Sequence, residues 1–157
     1  MFTDAERRYL ESARVARLAT ADAEGRPNAV PVCFALVDGE RDGSAPPDGE
    51  TAPWIATPID EKPKDGATES LRRVRDVREN ARVALVADHY VEDWDRLGWV
   101  QVRGTASVLA PGDAGHGAAV EALRDGYDQY ADHALGERPA LRIDPGHVRS
   151  WGRITDL

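Results

Sequence analysis

The chain has only two lysines, Lys62 and Lys64, and both fall in one short polar stretch, Thr57-Pro58-Ile59-Asp60-Glu61-Lys62-Pro63-Lys64. Soon after it comes Leu71-Arg72-Arg73-Val74-Arg75. Two ammonium groups and up to three guanidinium groups therefore converge on a loop and the helix behind it. Arginine offers a planar fork that matches phosphate or carboxylate, and lysine offers a compact point charge. The chemistry this combination suits is the capture of an anionic cofactor tail. The competing reading is a solvated helix face, because residues 60–80 hold six acids and six bases and are neutral overall.

Other chemistries have weaker support. His89, His116, His133 and His147 show no metal-ligand spacing such as H-E-x-x-H, and no second cysteine stands beside Cys33. The histidines read as structural or surface groups, and Cys33 as a small hydrophobe on a strand. There is no G-x-S-x-G elbow and no G-x-G-x-x-G fingerprint. Trp54, Trp94, Trp99 and Trp151 suit either a planar ligand pocket or core filling.

The elements that must position the basic cluster follow from periodicity. Thr3 and Glu6 form a capping box ahead of a helix over residues 4–13. Residues 14–20 and 28–37 alternate as two strands of a hairpin, with Asp22–Pro27 as the turn. Pro31 argues for an edge position or a bulge in the second of them. Residues 38–50 are rich in Asp, Gly, Ser, Pro and Glu, which predicts a long hairpin loop. A short strand covers 52–57. A second helix runs from Thr68, as N-cap, to about Asn80, with Leu71, Val74 and Val77 as its inward stripe. Strands over 82–90 and 99–109 follow, the latter with a bulge or bend at Gly104. Pro111 opens a third helix over 112–131. Residues 138–143 and 147–151 close the chain as strand-like pieces. This order, α-β-β-β-α-β-β-α-β, predicts antiparallel pairing and not βαβ winding.

Composition agrees with one soluble domain over residues 1–157. Hydrophobic residues make up 41% and charged residues 31%. The net charge of −8 disfavours nucleic acid and anionic membranes as partners. The charged N-terminus has no apolar stretch behind it, and no run approaches the length of a membrane span. A single cysteine fits a reducing cytoplasm.

Several stretches carry a resemblance. Val15-Ala16-Arg17-Leu18-Ala19-Thr20, then Asp22-x-x-Gly25-Arg26-Pro27, then Val30-Pro31-Val32, resemble the opening hairpin of the pyridoxamine-phosphate-oxidase-like split barrels. The run from Leu71 to Leu85 resembles the helix and strand that follow the cofactor loop there. Residues 88–104 and His147-Val148-x-x-Trp151-Gly152 are similar to one branch, the F420-dependent oxidoreductases of actinobacteria and archaea. The resemblance covers nearly the whole chain. It implies a mainly β fold with inserted helices, an FMN-binding split β-barrel of about six antiparallel strands. It also implies a homodimer with the cofactor at the subunit interface.

Residue by residue, the resemblance assigns Arg73, flanked by Arg72 and Arg75, to the anionic tail, with Lys62 and Lys64 beside it. The strand before the loop corresponds to Trp54 through Thr57, followed by Pro58. The ring-facing strand corresponds to Trp99 and Gln101, and Thr57 and Gln101 are expected to hydrogen-bond the ring system. Two positions depart from the family pattern. Asp76 replaces a common Asn, which weakens any direct phosphate contact there, and Asn80-Ala81 stands where Asn-Pro is usual. The implied activity is hydride transfer between the deazaflavin coenzyme F420 and a small organic acceptor, with no dedicated catalytic acid. Three alternatives accompany it: an FMN-dependent oxidase or reductase on the same barrel, a cofactor-binding protein without turnover, and a haem binder using His89 or His133.

Overall fold

The computed structural model describes residues 1–39, 52–59 and 71–155. The expected loop at 38–50 and the proposed cap Thr68 lie almost wholly outside them, as do Lys62 and Lys64. Helix α1 (Asp4–Ser12) opens as its capping box predicts. Glu6 N–H donates to the Thr3 hydroxyl at 3.2 Å, and the Glu6 carboxylate accepts from Thr3 N–H at 2.9 Å.

Seven strands follow: β1 (Ala16–Ala21), β2 (Pro27–Val32), β3 (Ala35–Val37), β4 (Trp54–Pro58), β5 (Arg82–His89), β6 (Gly98–Leu109) and β7 (Ala140–Gly152). Two further helices are inserted, α2 (Arg72–Glu79) and α3 (His116–Gly126). All pairings are antiparallel, in the spatial order β2-β1-β5-β6-β7-β4-β3. The sheet's two edges, β2 and β3, are consecutive in the chain and separated only by Cys33 and Phe34. So short a link forces the sheet to curl until its edges meet, which makes it a split barrel.

This corrects the single return strand expected over 28–37. The reason is a side chain. Tyr127, 3% exposed, accepts from Phe34 N–H at 3.1 Å and directs its own hydroxyl hydrogen at the carbonyls of Phe34 and Arg14, each 3.0 Å away. It supplies at the break the bonds that a neighbouring strand supplies elsewhere. Pro31 lies on edge strand β2, as expected.

The third helix is shorter than expected. Gly112 and Gly115 hold φ of 92° and 88°, in the left-handed region, so helix starts only at His116. It ends at Gly126, and 3-10 turns continue over Asp128–Asp132 and Leu135–Glu137. The second helix starts at Arg72 with Leu71 as its cap, not Thr68. The two closing pieces are one strand, β7, which runs through a register shift against β6 at Arg103/Gly104. The bulge expected at Gly104 is therefore present, and a Cβ there would lie 2.1 Å from the Asp144 carbonyl oxygen. The extra residue lies on β7: Val148 faces Val102, but beyond the shift Ile143 faces Ala106.

The main core gathers Leu10, Leu18, Ile55, Val74, Leu85, Val102 and Ile143 between α1, α2 and the sheet. A second core packs Trp54, Ala56 and Leu109 against Ala119, Leu123, Tyr127 and Tyr130. Strand β4 contributes to both and is buried along its whole length. No helix among the described residues is long and apolar enough to cross a membrane.

Tyr127→Phe keeps the ring and removes the hydroxyl, leaving the buried Phe34 N–H without its partner. Urea denaturation should show a loss of about 1–3 kcal/mol. Unchanged stability would mean that the hydroxyl does not hold the break.

Candidate functional site

Helix α2 buries Val74 and Val77, as its stripe predicts, and with them Asp76. Asp76 is no phosphate contact. Its carboxylate accepts from the Thr20 hydroxyl at 2.7 Å and lies 3.8 Å from Arg72 Nε, which ties α2 to β1. The rotation this fixes points neighbouring arginines in different directions.

Arg73 is half-buried, and its Nη2 donates to the Pro58 carbonyl at 3.3 Å. Pro58 ends β4. One residue back, Thr57 is fully buried, and its hydroxyl has no hydrogen-bond partner among the described residues. Alternation puts Thr57 on the same side as Ile55, toward the main core. Burying a hydroxyl unmatched costs about 1–3 kcal/mol, which a hydrogen-bonding ligand at this end of β4 would recover.

Arg72 and Arg75 are exposed and line a cleft of about 480 Å³ with Asp22, Glu24, Arg26 and Glu79. Acids answer the bases there. Arg26 pairs with Asp22 at 2.7 Å and Glu24 at 3.2 Å, and the Arg26 hydrogen bond holds the Asp22 carboxyl below the usual carboxylate range. Glu79 accepts from Ala23 N–H at 3.1 Å.

Trp99 and Gln101 lie elsewhere. They are half-buried on the outer face of β6, opposite Trp151 and Arg149 of β7 and Asp88 and Val86 of β5. Thr57 pairs with Leu141, which pairs with Val108. From Gln101 to Val108 the strand path is about 23 Å at about 3.3 Å per residue. One chain thus sets Thr57, Pro58 and Arg73 apart from Trp99 and Gln101, so Thr57 and Gln101, both expected at the ring system, do not meet within one copy.

A second cavity, between α1 and the β5–β6 turn, contains none of these residues. It is lined by Tyr9, His89, Arg96 and Arg153 among others. They come from three stretches far apart in the chain, so no local spacing in the sequence announces the cavity. No cluster of three or more His, Cys, Asp or Glu among the described residues could hold a metal ion.

A sequence model of the pyridoxamine 5'-phosphate oxidase family matches residues 2–152. The chain belongs to that family. No curated protein matches the sequence. Among solved structures, family architecture recurs in a conserved hypothetical protein of Mycobacterium tuberculosis at 21% identity and a TM-score of 0.67, with 97% of this chain and 86% of that chain covered. The haem storage protein HutZ of Vibrio cholerae is similar at 13% identity and a TM-score of 0.63, over 92% of this chain and 89% of that one. A haem-binding protein of Mycobacterium smegmatis is similar at 18% identity and a TM-score of 0.64, over 97% of this chain and 55% of that one. At such identities the likeness is one of fold.

Thr57→Val removes the unmatched hydroxyl and keeps the shape. The ligand-free protein should be as stable as wild type or more so by thermal denaturation. A loss of more than about 1 kcal/mol would show the hydroxyl already satisfied.

Proposed function

We propose that this family member is an F420-dependent oxidoreductase that transfers hydride between the deazaflavin and a small organic acceptor. The observation that carries the reading is the pairing of Arg73 with the end of β4, beside the unmatched Thr57 hydroxyl. A cationic fork and a buried hydroxyl side by side suit an anionic, hydrogen-bonding ligand. When bound, the deazaflavin supplies the hydride chemistry, and the protein supplies orientation, burial and charge. Arg73 holds the anionic tail, and Lys62 and Lys64, which lie between β4 and α2 in sequence, are proposed to add positive charge to it, whereas Arg72 and Arg75 face the acids of the Asp22–Glu79 cleft. The unmatched Thr57 hydroxyl hydrogen-bonds the ring system, and Pro58 shapes the end of β4 beside it. Trp99 covers the ring, and Gln101 hydrogen-bonds it.

Those last two roles require a second copy of the chain. The outer face of β6 and β7 sets Trp99 opposite Trp151, which is 55% exposed, and an aromatic pair of this kind suits burial between subunits. We take this face as the homodimer interface, so that one copy's Trp99 and Gln101 complete the other's Thr57–Arg73 site. A single free cysteine is compatible with a cytoplasmic setting.

Haem binding, which two similar proteins share in their names, finds little purchase on His89. Its Nδ1 is 2.8 Å from the Tyr9 hydroxyl, and its Nε2 contacts the Arg96 carbonyl oxygen. Both ring nitrogens are engaged, so an axial ligand there would have to break one of these contacts.

Parallel titration of purified protein with F420 and with FMN tests the proposal. F420 should bind the tighter of the two, and Arg73→Ala should weaken it by about 1.5–3 kcal/mol, the range for a hydrogen bond to a charged group. Tighter FMN binding would move the assignment to a flavin enzyme. Unchanged F420 affinity in Arg73→Ala would remove Arg73 from the site. Binding without oxidation of reduced F420 by any acceptor would mark a carrier, not an enzyme.

A further inference from the structure

The cavity between α1, the β5–β6 turn and the end of β7 has a volume of about 420 Å³. That is room for a ligand of one ring. Val15 and Val91 give it apolar walls, and the Tyr9 ring, 3% exposed overall, forms part of its lining.

Its charge is unusual for a chain with a net charge of −8. Arg96 and Arg153 line it, and neither guanidinium has an ion-pair or hydrogen-bond partner among the described residues. The acid of the cavity, Asp88, is already paired with Arg17 at 2.5 Å. Arg14 also borders it, but its guanidinium turns away, donating to the Gly126 carbonyl at 2.7 Å and lying 4.6 Å from the Tyr127 ring centre. Two uncommitted cations therefore share one rim.

Their backbones are fixed. His89 Nε2–H donates to the Arg96 carbonyl oxygen, while Nδ1 meets the Tyr9 hydroxyl. Arg153 N–H donates to the Leu97 carbonyl at 2.8 Å. That approach needs Gly152, whose φ is +76° and where a Cβ would lie 2.1 Å from the Leu97 carbonyl oxygen. The two arginine stems thus leave from adjacent, pinned positions, which lowers the entropic cost of bringing both to one ligand.

We propose that this cavity binds a small organic anion, with an apolar ring against Val15, Val91 and Tyr9 and a carboxylate or phosphate head between Arg96 and Arg153. Burial, with Asp88 adding to it, pushes the Tyr9 phenol up to about 12, so it stays a neutral hydroxyl that does not repel the anion. Tyr9 and His89 act as positioning residues for the Arg96 backbone. None of the cavity's residues belongs to the group assigned to the cofactor, so the two proposals stand or fall separately.

Full-length ¹⁵N-labelled protein should be titrated by NMR with benzoate, phenyl phosphate and neutral benzamide, without cofactor. The expected result is saturable shifts centred on the amides of Arg96, Leu97 and Arg153 for one or both anions, with benzamide at least tenfold weaker. The relative affinity of benzoate and phenyl phosphate names the head group. The double variant R96Q/R153Q should bind the anions at least tenfold more weakly. Benzamide binding as tightly as the anions, shifts centred on the Asp22–Glu79 cleft, no saturation, or unchanged affinity in the variant would each overturn the proposal. If the variant fails to fold, the comparison of anions with benzamide in the wild-type protein decides alone.

Discussion

Two residues join the opposite edges of this sheet, and the rest of the structure depends on that link. Cys33 and Phe34 are all the chain between β2 and β3. An open seven-stranded sheet would set those edges several strand spacings of about 4.8 Å apart. Curling is the only way to bring them within reach. Tyr127 then satisfies the backbone at the gap, and by doing so draws the end of α3 onto it. The second core around Trp54 and Leu123 forms where α3 is held. Strand β4, trapped between β3 and β7, is buried on both faces as a consequence.

The long β6–β7 ladder distributes chemistry along this frame. Near one end, through Leu141, it carries β4 with Thr57 and Pro58. At the other it sets Trp99 against Trp151 and Gly98 against Gly152, which brings Arg153 to Leu97. The shift at Gly104 lets the two ends of β7 present different faces to the core. The candidate site and the second cavity are thus separated by the same device that lets one strand serve both. Asp76 performs a comparable service for α2. By bonding Thr20 it leaves Arg73 toward β4 and Arg72 and Arg75 among the acids of the β1–β2 turn.

Much of this was legible in the sequence, for local reasons. The Thr3–Glu6 box, the Leu71–Val74–Val77 stripe, Pro31 at an edge and Gly104 at a bulge each express a constraint within a few residues. What the sequence concealed is non-local. The break at Cys33–Phe34 depends on Tyr127, more than ninety residues away. The late start of α3 depends on glycines whose positive φ cannot be told from their presence alone. Residues 71–75 look like one basic patch in sequence, yet a helix turns each about 100° from the last, so Arg73 and Arg75 meet different neighbours. The cavity lined by Tyr9, His89, Arg96 and Arg153 had no signature, because three segments distant in sequence build it.

The central claim is that the cofactor site is shared between two copies of the chain. Mixing the Arg73→Ala and Trp99→Ala variants, after dissociating and reassociating both, tests it directly. Each variant alone should bind F420 weakly. Reassociated mixtures should regain wild-type affinity at about a quarter of the sites, because half the dimers are mixed and each has one intact site. A mixture that binds no better than the two variants measured separately would contradict the account.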